Sequence, residues 1–156
     1  MNDPEIDPAE RLARLLAETG YRTLAGEGGQ FAIPFNGTTR EWWIMSRATA
    51  SWLNLRTFMC DVPVEGVLRN ELYGYVLEKN AMISLAKFIT IGGQVALELD
   101  YRYDDVDPHS LGSLVRLIYD IAEEHYPTIF RIVSGDHALQ SLEAGLKSTE
   151  AGPEGD

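Results

Sequence analysis

Three aspartates and a histidine fall within the six positions Asp104-Asp105-Val106-Asp107-Pro108-His109. Carboxylates and an imidazole at that density are a donor set for a divalent cation, with oxygen ligands suited to Mg²⁺ or Mn²⁺. A calcium loop of the EF-hand type also needs a glycine at its sixth position and a glutamate at its twelfth. Counted from Asp104 or Asp105, the sixth position holds His109 or Ser110 and the twelfth Val115 or Arg116, so that pattern fails. A plainer use of the same residues is structural. Asp107 before Pro108 reads as the N-cap and first-turn proline of a helix, and carboxylates are mildly favoured near the positive end of a helix. The stretch is therefore expected to be a strand exit, with Asp104, Asp105 and His109 kept as a weak candidate for a metal or small-ligand site.

No other constellation reads as catalytic. The histidines His109, His125 and His137 stand alone, without the HExxH or CxxC spacing that assembles a zinc site. His125 follows Glu123 and Glu124, but adjacent positions on a helix point apart, so a solvated or partly buried histidine is expected. AGLKST, residues 144–149, resembles a fragment of a phosphate loop; Gln140 stands where the first glycine belongs, and Leu146 separates Gly145 from Lys147. GEGG at residues 26–29 leads into a strand instead of a helix. Cys60 is the single cysteine, so no internal disulfide can form, and a small buried thiol is its ordinary reading. The sequence is expected to be non-enzymatic and to need no cofactor.

The elements that position these residues follow from periodicity and punctuation. Asp7-Pro8-Ala9-Glu10 opens a helix by cap, first-turn proline and a glutamate that can reach back. Leu12, Leu15 and Leu16 form its stripe, and Gly20 can close it. From Tyr21 to Cys60 the period becomes two, giving three antiparallel strands around Phe31–Phe35, Trp42–Met45 and Ser51–Cys60, with Tyr21–Leu24 as a possible lead-in. Leu68, Leu72, Tyr75 and Val76 mark a second helix that Asn80 can cap. Two alternating runs follow, joined by a tight Gly92-Gly93 turn. The last helix starts at Asp107-Pro108 and is expected to kink or end near Tyr126, before Pro127. The order is α-βββ-α-ββ-α, an α+β chain with an antiparallel sheet. Residues 8–134 read as a single domain and 135–156 as an acidic, partly disordered tail with a weak amphipathic turn at Leu139, Leu142 and Leu146.

Charge and apolar surplus then narrow the partners. The 156 residues carry a net charge of −11 and are 45 % hydrophobic, enough for one sizeable core. Residues 1–10 and 135–156 contribute −4 each, leaving −3 between them. The acidity argues against a nucleic-acid partner, which needs a clustered basic face. No apolar run is long enough for a secretory signal or a membrane span, so a cytoplasmic location is expected. Trp42, Trp43, Met45, Trp52, Leu55 and Phe58 place large apolar groups on both faces of the early strands. One helical layer covers one face of an antiparallel sheet, so these residues are the candidate surface for a protein client or a dimer partner. A returning helix within the monomer is the competing cover.

The segments ELYGYVLEKN, AKFITIGGQVALELDY and DVDPHSLGSLVRLIYDIAEEHYP together resemble the YbjN-like proteins, described as bacterial sensory transduction regulators, which share the fold of type III secretion chaperones. The features are a helix ending in asparagine, a strand with Lys87 and Phe88, a strand ending in an acidic turn, and a long last helix. The resemblance covers roughly residues 8–134. It implies a homodimer of chaperone-like subunits that binds a protein client in extended form along apolar grooves, with no catalytic residues to carry over.

Overall fold

Asp7 starts the chain's first helix as its sequence implies. In the computed structural model, which describes residues 6–135, the Asp7 carboxylate accepts a hydrogen bond from Glu10 N at 3.2 Å, and Pro8 occupies the first turn of α1 (Pro8–Thr19). Glu10 does not reach back to the cap as expected; it pairs with Arg14 one turn on, at 2.5 Å. Gly20 closes the helix at φ 79°, a left-handed conformation with little cost for glycine alone.

The strands are β1 (Leu24–Ala25), β2 (Phe31–Asn36), β3 (Glu41–Ala48), β4 (Trp52–Asp61), β5 (Ala86–Ile91) and β6 (Gln94–Arg102). They form one antiparallel sheet in the order β1-β2-β3-β4-β6-β5. The lead-in expected at Tyr21–Leu24 is shifted and shorter: the strand there is the two-residue β1, Leu24–Ala25, paired with β2. Gly92 and Gly93, at φ 58° and 76°, make the two-residue turn between β5 and β6 with both residues left-handed, which matches the twist of the flanking strands. The fold is thus α+β in the order α-ββββ-α-ββ-α, the α-βββ-α-ββ-α order read from the sequence with the short β1 added before its first three strands.

Between β4 and β5 runs α2 (Gly66–Asn80). Asn80 was expected to cap it, but it is the last helical residue and its side chain works across the gap to β5. Its Oδ1 accepts from Phe88 N at 2.7 Å and its Nδ2 donates to Phe88 O at 3.0 Å, a paired contact that fixes the edge strand to the helix.

All three helices lie against one face of the sheet. Leu12 and Leu16 of α1, Leu72 of α2, and Leu111, Val115 and Ile118 of α3 (Pro108–Ser134) meet Ile33, Trp42, Ile44, Leu53, Leu55, Leu97 and Leu99 in one buried core. Each such side chain contributes about 1.5–3 kcal/mol by leaving water. Trp42 and Leu55 are fully buried here, so they are corrected from surface candidates to core residues. The period of two explains it: Trp42 and Ile44 on β3, with Leu53 and Leu55 on β4, all face the helices, and their neighbours in sequence face away.

The expected break at Pro127 is also corrected, because α3 runs unbroken from Pro108 to Ser134. An interior proline costs about 3 kcal/mol. Beyond it Ile129 and Ile132 are both buried on the helix's core stripe, and two such burials, at about 1.5–3 kcal/mol each, offset the loss.

Candidate protein-binding surfaces

The face of the sheet turned away from the helices is built from the alternate residues of its strands. Trp43 lies beside Pro34 on β2, Met45 beside Ala32 on β2 and Arg56 on β4, and Phe58 beside Ala96 on β6. Trp52, at the start of β4, pairs with Arg102. Trp43 is 41 % exposed, Trp52 52 % and Phe58 37 %. Polar rows interleave with these side chains: Arg56 donates to Glu98 Oε2, with Nε at 2.7 Å, and Asn54 Nδ2 donates to Asp100 Oδ1 at 2.9 Å. The face is therefore amphipathic, with aromatic side chains set among carboxylates that already have partners.

Two open hollows lie along it. One, of about 490 Å³, is bounded by Arg40, Trp43, Met45, Arg56 and Phe58; the other, of about 590 Å³, by Arg47, Thr49, Trp52, Asn54 and Arg56. The first lies where β3 and β4 part. Their pairing joins Met45–Ala48 to Leu53–Arg56. Past Arg56, side chains take over the carbonyls: Thr57 Oγ1 donates to Trp43 O at 2.9 Å, and Arg40 to Met59 O at 3.2 Å.

A carboxylate on the other side of the sheet holds this region in place. Glu123 of α3 accepts from Trp42 Nε1 at 2.6 Å, Thr38 Oγ1 at 2.7 Å and Thr39 Oγ1 at 3.0 Å, and from Thr38 N at 3.2 Å. Burial pushes the Glu123 carboxyl upward, but the hydrogen bonds from Thr38, Trp42 and Thr39 together outweigh it and hold the group below its ordinary range. Gly37 is required in the same turn, since a Cβ there would stand 1.6 Å from Glu123 Oε1. This anchor was not read from the sequence, where the only signal is an acid on the core side of a helix far from the residues it binds.

A second apolar surface was also missed. Val64, Val67, Tyr73, Leu77, Met82 and Leu85 are all exposed, Leu77 at 73 % and Val64 at 95 %. They belong to α2 and its flanking turns, next to the edge strand β5, and Val64, Tyr73 and Ile91 border a shared hollow of about 420 Å³. The signal was present: Val67, Tyr73 and Leu77 fall off the Leu68-Leu72-Tyr75-Val76 stripe. A helix that is apolar around most of its circumference is usually covered on both sides.

The acidic turn is a strand exit. Asp104 and Asp105 are exposed in a short 3₁₀ turn (Tyr103–Asp105), while Asp107 caps α3 by accepting from Ser110 N at 2.7 Å. The backbone hydrogen bond from Ser110 is the main cause that holds the Asp107 carboxyl below its ordinary range. Arg11 of α1 donates to Tyr103 O at 2.8 Å and Val106 O at 3.0 Å and stacks over the Tyr103 ring, whose hydroxyl donates to Pro8 O at 2.8 Å. The turn thus docks α1. His109 is exposed on α3 and borders a different hollow with Glu18, Arg116 and Asp120. Among the described residues no three His, Cys, Asp or Glu side chains come together in a way that could hold a metal ion, so the candidate trio Asp104, Asp105 and His109 is not assembled.

The remaining reactive groups are built into the structure. His125 is buried, its Nδ1 2.7 Å from the Tyr75 hydroxyl and its ring edge-on to Phe88, so it joins α2, α3 and β5. Burial is the main cause that holds its pKa below the ordinary histidine value. Burial also pushes the Cys60 thiol up to about 11, away from reactivity at neutral pH. His137 and the leucines of the expected C-terminal turn lie outside the described residues. Among the described residues no helix is long and apolar enough to cross a membrane.

No curated protein matches the sequence. A chain in the crystal structure of the ExsC–ExsE complex is similar in fold, with a TM-score of 0.59 at 19 % identity, over 80 % of this chain and 97 % of that one. The architecture is accordingly of the type III secretion chaperone kind that the sequence resemblance implied. Residues 8–131 match the family described as "Putative bacterial sensory transduction regulator", and the chain belongs to that family, YbjN.

Proposed function

We propose that this chain is a non-catalytic protein-binding module, chaperone-like or regulatory, that acts in the cytoplasm as a homodimer and holds a protein client. One observation carries the reading: the helices cover one face of the sheet, and the other face leaves Trp43, Trp52 and Phe58 open along a trough. Aromatic side chains in such a setting are the residue types that dominate protein interfaces. The α2 surface, aliphatic and beside an edge strand, is assigned to self-association, and the outer face of the sheet to the client. Family membership and the fold shared with a chain of a two-protein complex support the protein-binding reading.

The test is affinity purification of the tagged full chain from its own cells, with mass spectrometry and light scattering of the eluate. The expected result is a dimer that carries a second protein in stoichiometric amount. Trp43→Ala or Trp52→Ala should release that protein and keep the dimer, and Leu77→Glu should dissociate the dimer. A monomer that brings down no second protein would overturn the reading.

A further inference from the structure

The two hollows on the outer face share Arg47, Asn54 and Arg56, so they form one trough along β3 and β4. Its ends are apolar, with Trp43 and Phe58 at one and Trp52 at the other. Phe58 and Trp52 are six residues apart on β4, roughly 20 Å at the rise of a strand. The lining between them carries Arg40, Arg47 and Arg56 against the single carboxylate Asp100, so positive charge is in excess. Glu98 is ion-paired with Arg56, and Asp100 accepts a hydrogen bond from Asn54. Arg47 has no hydrogen-bond or ion-pair partner among the described residues, and neither has Arg102 beside Trp52. On a chain of net charge −11, the exposed acids Asp120 and Glu124 stand on α3, on the helix side of the sheet.

We propose that the trough takes an extended acidic segment of a partner protein, one with two bulky apolar side chains about six residues apart and carboxylates between them. An even spacing puts both anchors, and the carboxylates at the even positions between, on the same side of an extended chain. The anchors then reach the two apolar ends while the carboxylates meet Arg47, whose side chain has no acid partner among the described residues, beside the Arg56–Glu98 pair; guanidinium binds carboxylate in a two-pronged, charge-assisted pairing. A basic segment would meet like charge at the same place. This inference rests on the outer face being the client surface.

The test uses dye-labelled synthetic peptides of about ten residues, the length that spans the trough at the strand rise, titrated against the full chain by fluorescence anisotropy. One peptide has two phenylalanines six positions apart with glutamates between, a second has lysines in place of the glutamates, and a third has the phenylalanines three apart. The glutamate peptide should bind at least tenfold more tightly than either of the others. Arg47→Glu, an exposed change whose fold is checked by circular dichroism, should remove or invert the preference over the lysine peptide. Equal or tighter binding of the lysine peptide, or an unchanged preference in Arg47→Glu, overturns the proposal. If both charged peptides bind equally and both are lost in a Trp43→Ser, Phe58→Ser double variant, the outer face stands as the client surface and its charge selectivity falls. If no peptide binds and Trp52→Glu turns a dimer into a monomer by light scattering, the occupant is a second copy, and the proposal and the client assignment fall together.

Discussion

Trp42 and Trp43 are neighbours in the chain and opposites in the fold. Trp42 faces the helices, has no exposure, packs edge-on against Tyr126 and donates its indole N–H to Glu123. Trp43 faces outward, 41 % exposed, with its carbonyl held by Thr57 and its ring over an open hollow. One strand thus presents the same side chain to a finished interior and to a surface that still has area to bury. The first tryptophan serves the stability of the fold, and the second is free to serve association. The same contrast divides β4, where Leu53 and Leu55 are buried and Trp52 and Phe58 are not.

Substitution at the paired tryptophans gives the largest contrast. Trp42→Ala should cost about 3–5 kcal/mol of unfolding free energy in urea or thermal melts, the usual range for removing a buried aromatic side chain. Trp43→Ala should cost less than about 1 kcal/mol, as surface changes do. Equal losses at the two positions would erase the distinction between the faces.

The α2 surface extends the comparison to self-association. Leu77→Glu removes one apolar side chain from the assigned contact and adds a charge, so it should weaken the dimer by about tenfold to a hundredfold, given about 1.5–3 kcal/mol for one buried aliphatic side chain. Sedimentation across a dilution series reads this directly. A dimer that ignores Leu77→Glu and dissociates with Trp43→Glu would exchange the roles of the two surfaces.

Two smaller effects depend on pH. The folded-state pKa of Glu123 lies below its ordinary value, so its contribution is fully present above about pH 4.3, the unfolded reference, and is lost as pH falls through the folded value. Glu123→Gln should therefore be less stable than the parent chain at pH 7, with the gap narrowing toward pH 3 in urea titrations. His125 also has a lowered folded-state pKa, so the stability it supports is full above about pH 6.5 and declines as pH falls below that. A His125→Gln chain should show a shallower loss of stability between pH 7 and pH 5 than the parent. Parallel slopes would separate His125 from this part of the pH response.

Local punctuation made most of the fold legible. The Asp7 and Asp107 caps, the left-handed Gly20, the Gly92-Gly93 turn and the switches of period between helix and strand each act within a few residues, and each appears in the structure. Alternation in β3 and β4 also showed that both faces carry aromatic residues. It could not show which face the helices would take, and so Trp42 and Leu55 were grouped with Trp43 and Phe58. The Glu123 anchor was out of reach for another reason, since Glu123 and Trp42 are 81 positions apart and neither carries a motif. Pro127 misled because its local preference is weaker than the burial of Ile129 and Ile132 beyond it. The exposed side of α2 was readable and overlooked: Val67, Tyr73 and Leu77 are apolar residues off the Leu68-Leu72-Tyr75-Val76 stripe, and that stripe drew the reading to the side that faces the core.

The contact between Arg11 and the carbonyl of Tyr103 has a consequence for biosynthesis. The two residues are 92 positions apart, and at ribosomal rates of about 5–20 residues per second α1 waits roughly 5–20 s before its anchor has been made. During that interval Leu12 and Leu16 have only part of their cover. The nascent chain must keep its first helix from straying until the sixth strand is complete, so a pause in translation before Tyr103 should lengthen exposure of that helix to proteases and to holding factors at the exit tunnel.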